Sequence, residues 1–258
     1  MSGFSAEWLA LRGSFDAAGR SRHLAESFAE AIGAEGPIVD LGAGTGANLR
    51  YLRGIVGSDR RWRLAEMDAG LLAQAPVGPG IEHWQCDLRW ALDDLLQDAA
   101  GVTGSALLDL VSASWMMQLA SIMARRRLPA LFALSYDGRI AFAPADPLDE
   151  VVVEAFNRHQ ATDKGFGPAL GPEAVRHLRA ALRAAGAAVV AERSDWTIAP
   201  SDAVMALAMI EGLVAPALAM APANPEAIAD WARRRRTRIA DAALAITVGH
   251  RDLLATWV

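Results

Sequence analysis

Cysteine is almost missing from this chain. Cys86 is the single one in 258 residues, so no internal disulfide forms, and five scattered histidines offer no metal-ligand spacing. No metal is expected. A large charge of one sign is missing too: the net charge of -5 gives no general attraction to phosphate backbones or anionic lipid. Nucleic acid is therefore not an expected partner. Met1 to Arg12 has no cationic segment ahead of a long apolar core, as a secretory signal would, and the chain reads as cytoplasmic. Long apolar runs are limited to Ala203–Ala221, where Glu211 and Pro216 argue against a bilayer span and for a packed helix.

What is present suffices for a sizeable core, with 53% hydrophobic residues against 21% charged. Phe4 to Ile32 reads as helices, the second one with Leu24, Phe28, Ala31 and Ile32 at three-and-four spacing after Ser21. Strands then alternate with helices. Pro37–Leu41, Trp62–Glu66, Ile81–Cys86, Leu107–Ser112 and Pro129–Ser135 are the strands, and Ala47–Ile55, Ala69–Ala75, Ala91–Leu96 and Trp115–Arg127 the helices. This alternation predicts a doubly wound α/β fold whose ligands bind beyond the carboxyl ends of the strands.

After Tyr136-Asp-Gly138 the rhythm changes. A hairpin arm is expected at Arg139–Phe142, then helices at Leu148–Gln160 and Glu173–Ala185 and a strand at Ala188–Trp196. Two further helices, Ser201–Met220 and Pro225–Thr247, the latter capped by Asn224, precede a last strand at His250–Trp257.

Asp40-Leu-Gly-Ala-Gly-Thr-Gly46 follows the first strand, and glycines there let backbone approach a ligand closely. Two ligands suit such a loop: a dinucleotide, with its pyrophosphate on the helix N-terminus, and S-adenosylmethionine, with a cationic amino-acid end. Asp40 would repel a pyrophosphate but receive an ammonium, directly or through water. Gly42, Gly44 and Ala47 also satisfy the looser dinucleotide pattern, so the loop leaves both open. Glu66, 20 residues past Gly46, suits two ribose hydroxyls, and Asp87 suits an adenine amine. Asp68 reads as the cap of the helix at Ala69.

Through Ile38-Val-Asp-Leu-Gly-Ala-Gly-Thr-Gly46, Arg63-Leu-Ala-Glu-Met-Asp68, Gln85-Cys-Asp87 and Leu108-Asp-Leu-Val-Ser-Ala-Ser114, the chain resembles class I S-adenosylmethionine-dependent methyltransferases over about residues 38–135. The resemblance implies a Rossmann-like seven-stranded sheet, mostly parallel with the last strand antiparallel. It implies cofactor contacts at Asp40, Gly42, Gly44, Gly46, Glu66, Met67, Asp87 and Leu88. On this chain that predicts an N-terminal helical cap (1–36), the methyltransferase core (37–200), a C-terminal helical insertion (201–247) and the final core strand (248–258).

A sulfonium methyl is already activated, so the protein mainly has to hold a nucleophile in line and exclude water. Candidates for a base are Tyr136 and His159, and for substrate binding Arg20, Trp115, Tyr136, His159 and Lys164, each with a bland alternative as turn, core or solvated residue. Met116 and Met117 share the position of Trp115, where the resemblance places the methyl-transfer side. Glu211, in apolar surroundings, is a further pocket candidate with a raised pKa. Arg233–Arg236 with Arg238 reads as a solvated helix face behind a buried stripe of Ile228, Trp231, Ile239 and Ile246. The expected function is methyl transfer to a small molecule by a monomer or homodimer. An NAD(P)-dependent oxidoreductase and a non-catalytic cofactor-binding module are the competing readings.

Overall fold

The computed structural model describes residues 5–221 and 225–257. Two helices come first, α1 (Ala6–Gly19) and α2 (Arg22–Ala31), each opened by a serine: Ser5 Oγ accepts from the Trp8 N–H at 3.2 Å and Ser21 Oγ from the Leu24 N–H at 3.1 Å. Four strand–helix steps and a fifth strand follow: β1 (Ile38–Leu41), α3 (Ala47–Val56), β2 (Trp62–Glu66), α4 (Ala69–Leu72), β3 (Ile81–Gln85), α5 (Leu92–Leu95), β4 (Gly101–Ser105), α6 (Ala113–Arg126) and β5 (Ala130–Ala143). The rest is α7 (Asp149–Gln160), α8 (Ala174–Ala184), β6 (Ala188–Arg193), β7 (Trp196–Ile198), α9 (Ala203–Met220), α10 (Pro225–Ala240) and β8 (Ala245–Thr256).

The strands form one sheet in the order β3-β2-β1-β4-β5-β8-β6, with β7 also paired to β8. β1 through β5 are parallel, and β8 runs antiparallel to β5, β6 and β7. All four residues of β1 are buried, as a central parallel strand covered on both faces requires. One apolar cluster joins α6 and α8 to one face, and a second joins α2 and α3 to the other. A third gathers α7, α9 and α10 around the far ends of β5 and β8.

The architecture is the expected one, with eight strands instead of seven. The run Ala188–Trp196 divides into β6 and β7, which follow one another along the same edge of β8. At the break, the His250 N–H donates to the Asp195 carboxylate at 3.1 Å. The expected fourth strand at Leu107–Ser112 is a correction. The strand is Gly101-Val-Thr-Gly-Ser105, and Leu108–Leu110 is a 3-10 turn at whose start Leu107 and Leu108 plug the core. Side-chain bulk is excluded from this strand by α2: a Cβ on Gly101 would stand 2.6 Å from Ile32 Cγ2 and 3.1 Å from the Phe28 ring.

Arg139–Phe142 is not a separate hairpin arm, nor Tyr136-Asp-Gly138 a turn. Both belong to β5, which stays paired to β8 through irregularities at 132–135 and 136–140. The last helix ends at Ala240 and not at Thr247, so Ile246 reaches the buried stripe from β8, whose pairing overrides the helix propensity of the alanine-rich stretch before it. Asn224 lies outside the described residues, while Pro225 does open α10.

The arginine run is only partly a solvated face. Arg235 is 2% exposed, stacked at 4.7 Å on the Phe142 ring and paired with Asp149. Arg234 pairs with Asp146 and Arg236 with Glu211, both at 2.7 Å. Glu211 is therefore an exposed ion-pair partner on the helix surface. Arg236 holds its carboxyl below the usual range, the reverse of the expected shift. α9 is long and apolar enough to cross a membrane by length and composition, and it buries Met205, Met209, Ile210 and Leu213 in the third cluster.

Candidate functional site

A cavity of about 320 Å³ opens beyond the carboxyl ends of β1, β2, β3 and β4, the location expected of a ligand in an open α/β sheet. Gly42 and Gly44 form its floor with φ of +66° and +53°, backbone that favours glycine. Glu66 ends β2 beside them. Its Oε2 accepts from the Gly44 N–H at 2.9 Å, and its Oε1 from the Met67 and Asp68 N–H groups at 2.8 and 2.9 Å. A carboxylate so held keeps one of its roughly four acceptor sites, on Oε2, which a ligand's hydroxyls can share. Asp87 follows β3 with its carboxyl held below the ordinary range by Arg89, whose Nε lies 2.9 Å from Oδ2. Met67, Leu88 and Lys164 also reach the wall. Asp68 caps α4 as expected, accepting from Gly70 and Leu71, and lines the cavity as well.

Asp40 and Gly46 stand outside the wall. Gly46, in left-handed backbone at the start of α3, makes room for Pro76, whose Cδ a Cβ would meet at 2.5 Å. Asp40 is wholly enclosed beneath the loop, so the structure gives it no direct ligand contact. Its Oδ1 accepts from Asn48 Nδ2 at 2.7 Å, and Asn48, which does line the cavity, donates also to Thr103 and accepts from Arg20 Nη1 at 2.8 Å. Arg20 is thereby corrected from a substrate ligand to an internal strut, stacked at 4.1 Å on Tyr51.

Burial pushes the Asp40 carboxyl up to about 7, against the opposing pull of Asn48 and Arg20. A carboxyl whose pKa is higher folded than unfolded favours folding at low pH, and that contribution is lost as pH rises from about 4 to about 7. Asp40→Asn removes the loss. In urea unfolding at pH 5 and pH 8, the variant gains on the wild type by on the order of 2 kcal/mol between the two. An equal gap at both pH values contradicts this assignment.

Trp115, Tyr136 and His159 are not in the wall either. Trp115 is core: its Nε1 donates to the Leu88 carbonyl at 2.8 Å and its ring meets Phe166 edge-on, so it supports two wall residues from behind. Met116 is buried with it and Met117 faces outward. Tyr136 is sealed between Phe156 and His250, donates to Asn157 Oδ1 at 2.7 Å, and has its phenol pushed upward by burial, which unsuits it as a base. His159 lies behind Lys164, with Nδ1 3.3 Å from Nζ, and burial followed by the lysine charge lowers its pKa.

The sequence reading missed the wall supplied by α1. Leu9, Arg12 and Asp16, spaced three and four apart, present one helix face to the cavity. Leu9 touches the loop itself, since a Cβ on Gly44 would lie 3.4 Å from its Cδ1. It also missed Ser105–Leu107 and Leu110 after β4, with Asp109 buried among them and pushed up to about 6 by burial.

Neither a family model nor a curated protein matches the sequence. Solved structures do match. A cyclopropane-fatty-acyl-phospholipid synthase-like protein from Lactobacillus casei aligns with a TM-score of 0.52 at 16% identity, covering 99% of this chain and 95% of that one. A phosphoethanolamine N-methyltransferase from Haemonchus contortus, in complex with phosphomonomethylethanolamine and S-adenosylhomocysteine, aligns at 0.50 and 10% identity, over 99% of this chain and 58% of that one. The chain has the class I methyltransferase fold.

In terms of that fold, β8 takes the place of the antiparallel seventh strand, β7 is an addition, and α9 and α10 fill the connection between β7 and β8.

Proposed function

We propose that the chain is an S-adenosylmethionine-dependent methyltransferase acting on a small molecule. The observation that carries this reading is the row of groups round one cavity: the glycine loop after β1, Glu66 after β2 and Asp87 after β3. These residues fit an extended nucleoside with a cationic amino-acid end. The glycines admit its backbone-side atoms, Glu66 accepts from the ribose hydroxyls, and Asp87 accepts from the adenine amine between the apolar walls of Leu88 and Phe166. The Gly44 N–H, which a pyrophosphate would need, is already donated to Glu66. Four carboxylates, Asp16, Glu66, Asp68 and Asp87, line the cavity against the three cations Arg12, Arg89 and Lys164, a balance that suits a ligand with both an ammonium and a carboxylate better than a polyanion.

The cofactor, when bound, supplies a methyl group on a sulfonium, an electrophile that needs no further activation. The protein's share is to align an acceptor and keep water away, which the cover of α1 over the loop and the apolar Leu107 and Leu110 serve. Calorimetric titration with S-adenosylmethionine, S-adenosylhomocysteine and NAD tests the reading. Saturable binding of the first two without the third is expected, and binding of NAD alone replaces the methyltransferase with an oxidoreductase.

A further inference from the structure

Arg12 is the one cation of α1 in the cavity wall, and only half of its guanidinium is engaged. Its Nε donates to both oxygens of Asp16, at 3.2 and 2.9 Å. Among the described residues, Nη1 and Nη2 make no hydrogen bond, and neither is among the sealed unpaired atoms, unlike Nε and Nη2 of Arg20. The side chain is nonetheless 9% exposed, so these donors are open only where the cavity reaches them. The plane is fixed from two sides: Trp196 lies 5.0 Å beneath it, and Trp196 Nε1 donates to Asp16 Oδ1 at 3.1 Å. Asp109, the other carboxylate whose charge it feels, forms no ion pair with it.

A buried, rigidly oriented fork with its outer edge free matches a planar carboxylate, which it can bind through two parallel hydrogen bonds. Its place narrows the source. Asp87, Glu66 and the glycine loop follow the sheet from β3 to β1, so a ligand lying along them ends its amino-acid portion at the loop, where Leu9 touches Gly44 and Arg12 stands one turn further on. We infer that Arg12 receives the carboxylate of the ligand's amino-acid end, with Asp16 and Trp196 as positioning residues. This inference rests on the methyltransferase reading.

The test is calorimetry of the full chain with S-adenosylhomocysteine and with 5′-methylthioadenosine, which keeps the nucleoside and lacks the amino acid. Arg12→Met is expected to weaken S-adenosylhomocysteine about 10- to 100-fold and leave 5′-methylthioadenosine within about twofold. Arg12→Lys, which retains charge without the fork, falls between. The unchanged nucleoside affinity also shows that the variant folds. Equal weakening of both ligands, or no weakening of either, overturns the role of Arg12 alone. A wild-type protein that binds neither ligand overturns the methyltransferase reading, and this inference with it.

Discussion

Replacing Glu66 with alanine is expected to abolish most of the affinity for S-adenosylhomocysteine, by on the order of 3 kcal/mol, or about 100-fold. Two losses combine. The ribose hydroxyls lose a charged acceptor, and the N–H groups of Gly44, Met67 and Asp68 lose the carboxylate that shapes the floor. Glu66→Gln separates them, since its amide oxygen still accepts one set of bonds while its NH₂ opposes the other, and it is expected to retain an intermediate affinity. Calorimetry measures both variants. Affinity within threefold of the wild type in the alanine variant would remove Glu66 from the binding site.

The largest expected effect on stability lies far from the cavity. Arg235→Ala is expected to destabilise the chain by about 3–5 kcal/mol in urea unfolding, because it removes the counter-ion of the largely buried Asp149 carboxylate. That is a large share of the roughly 5–15 kcal/mol by which domains are stable. Asp149 accepts also from Trp231 Nε1 at 2.8 Å, and Arg235 donates to the Pro144 carbonyl at 2.7 Å, so one guanidinium ties α10 to α7 and to the end of β5. Arg235→Met with Asp149→Leu is expected to recover part of the loss, leaving the Trp231 Nε1–H and the Asp146 N–H without their acceptor. A cost under 1 kcal/mol for Arg235→Ala would show the pair to be dispensable.

The parallel half of the fold was legible because β1 and β2 are short, largely apolar runs, and because β1, β2 and β3 are each followed by the loop or carboxylate that marks the carboxyl end. β4 was not, because close packing by Phe28 and Ile32 selects Gly101, packing by Leu41, Leu107 and Phe132 selects Gly104, and small residues carry no strand signature. The apolar run just after it was the stronger local pattern, yet its leucines pack downward from a turn. Gly42, Gly44, Glu66, Met67, Asp87 and Leu88 line the cavity as expected, whereas Gly46 is taken up by Pro76 and the burial of Asp40 depends on Asn48 and Arg20, which come from other segments. The α1 wall was not legible, since nothing local ties Leu9, Arg12 and Asp16 to a glycine loop some 30 residues on. For Arg235 the signal was present: it is four residues from Trp231 and four from Ile239, on the same helix face. A run of arginines masked that periodicity.

The β5–β8 pair contributes to every apolar cluster: Phe132 and Leu253 to one, Leu131 and Leu254 to another, and Phe142, Ile246 and Val248 to the third. The first two draw on alternate residues of the same stretch, and the third takes over from Ala133 onward, at the irregularity between Phe132 and Ser135. The outer helices are thus mounted on a stalk that leaves the glycine-loop floor untouched. A designer, or natural drift, can rebuild α7, α9 and α10 as an exchangeable module while the strands beneath keep their register.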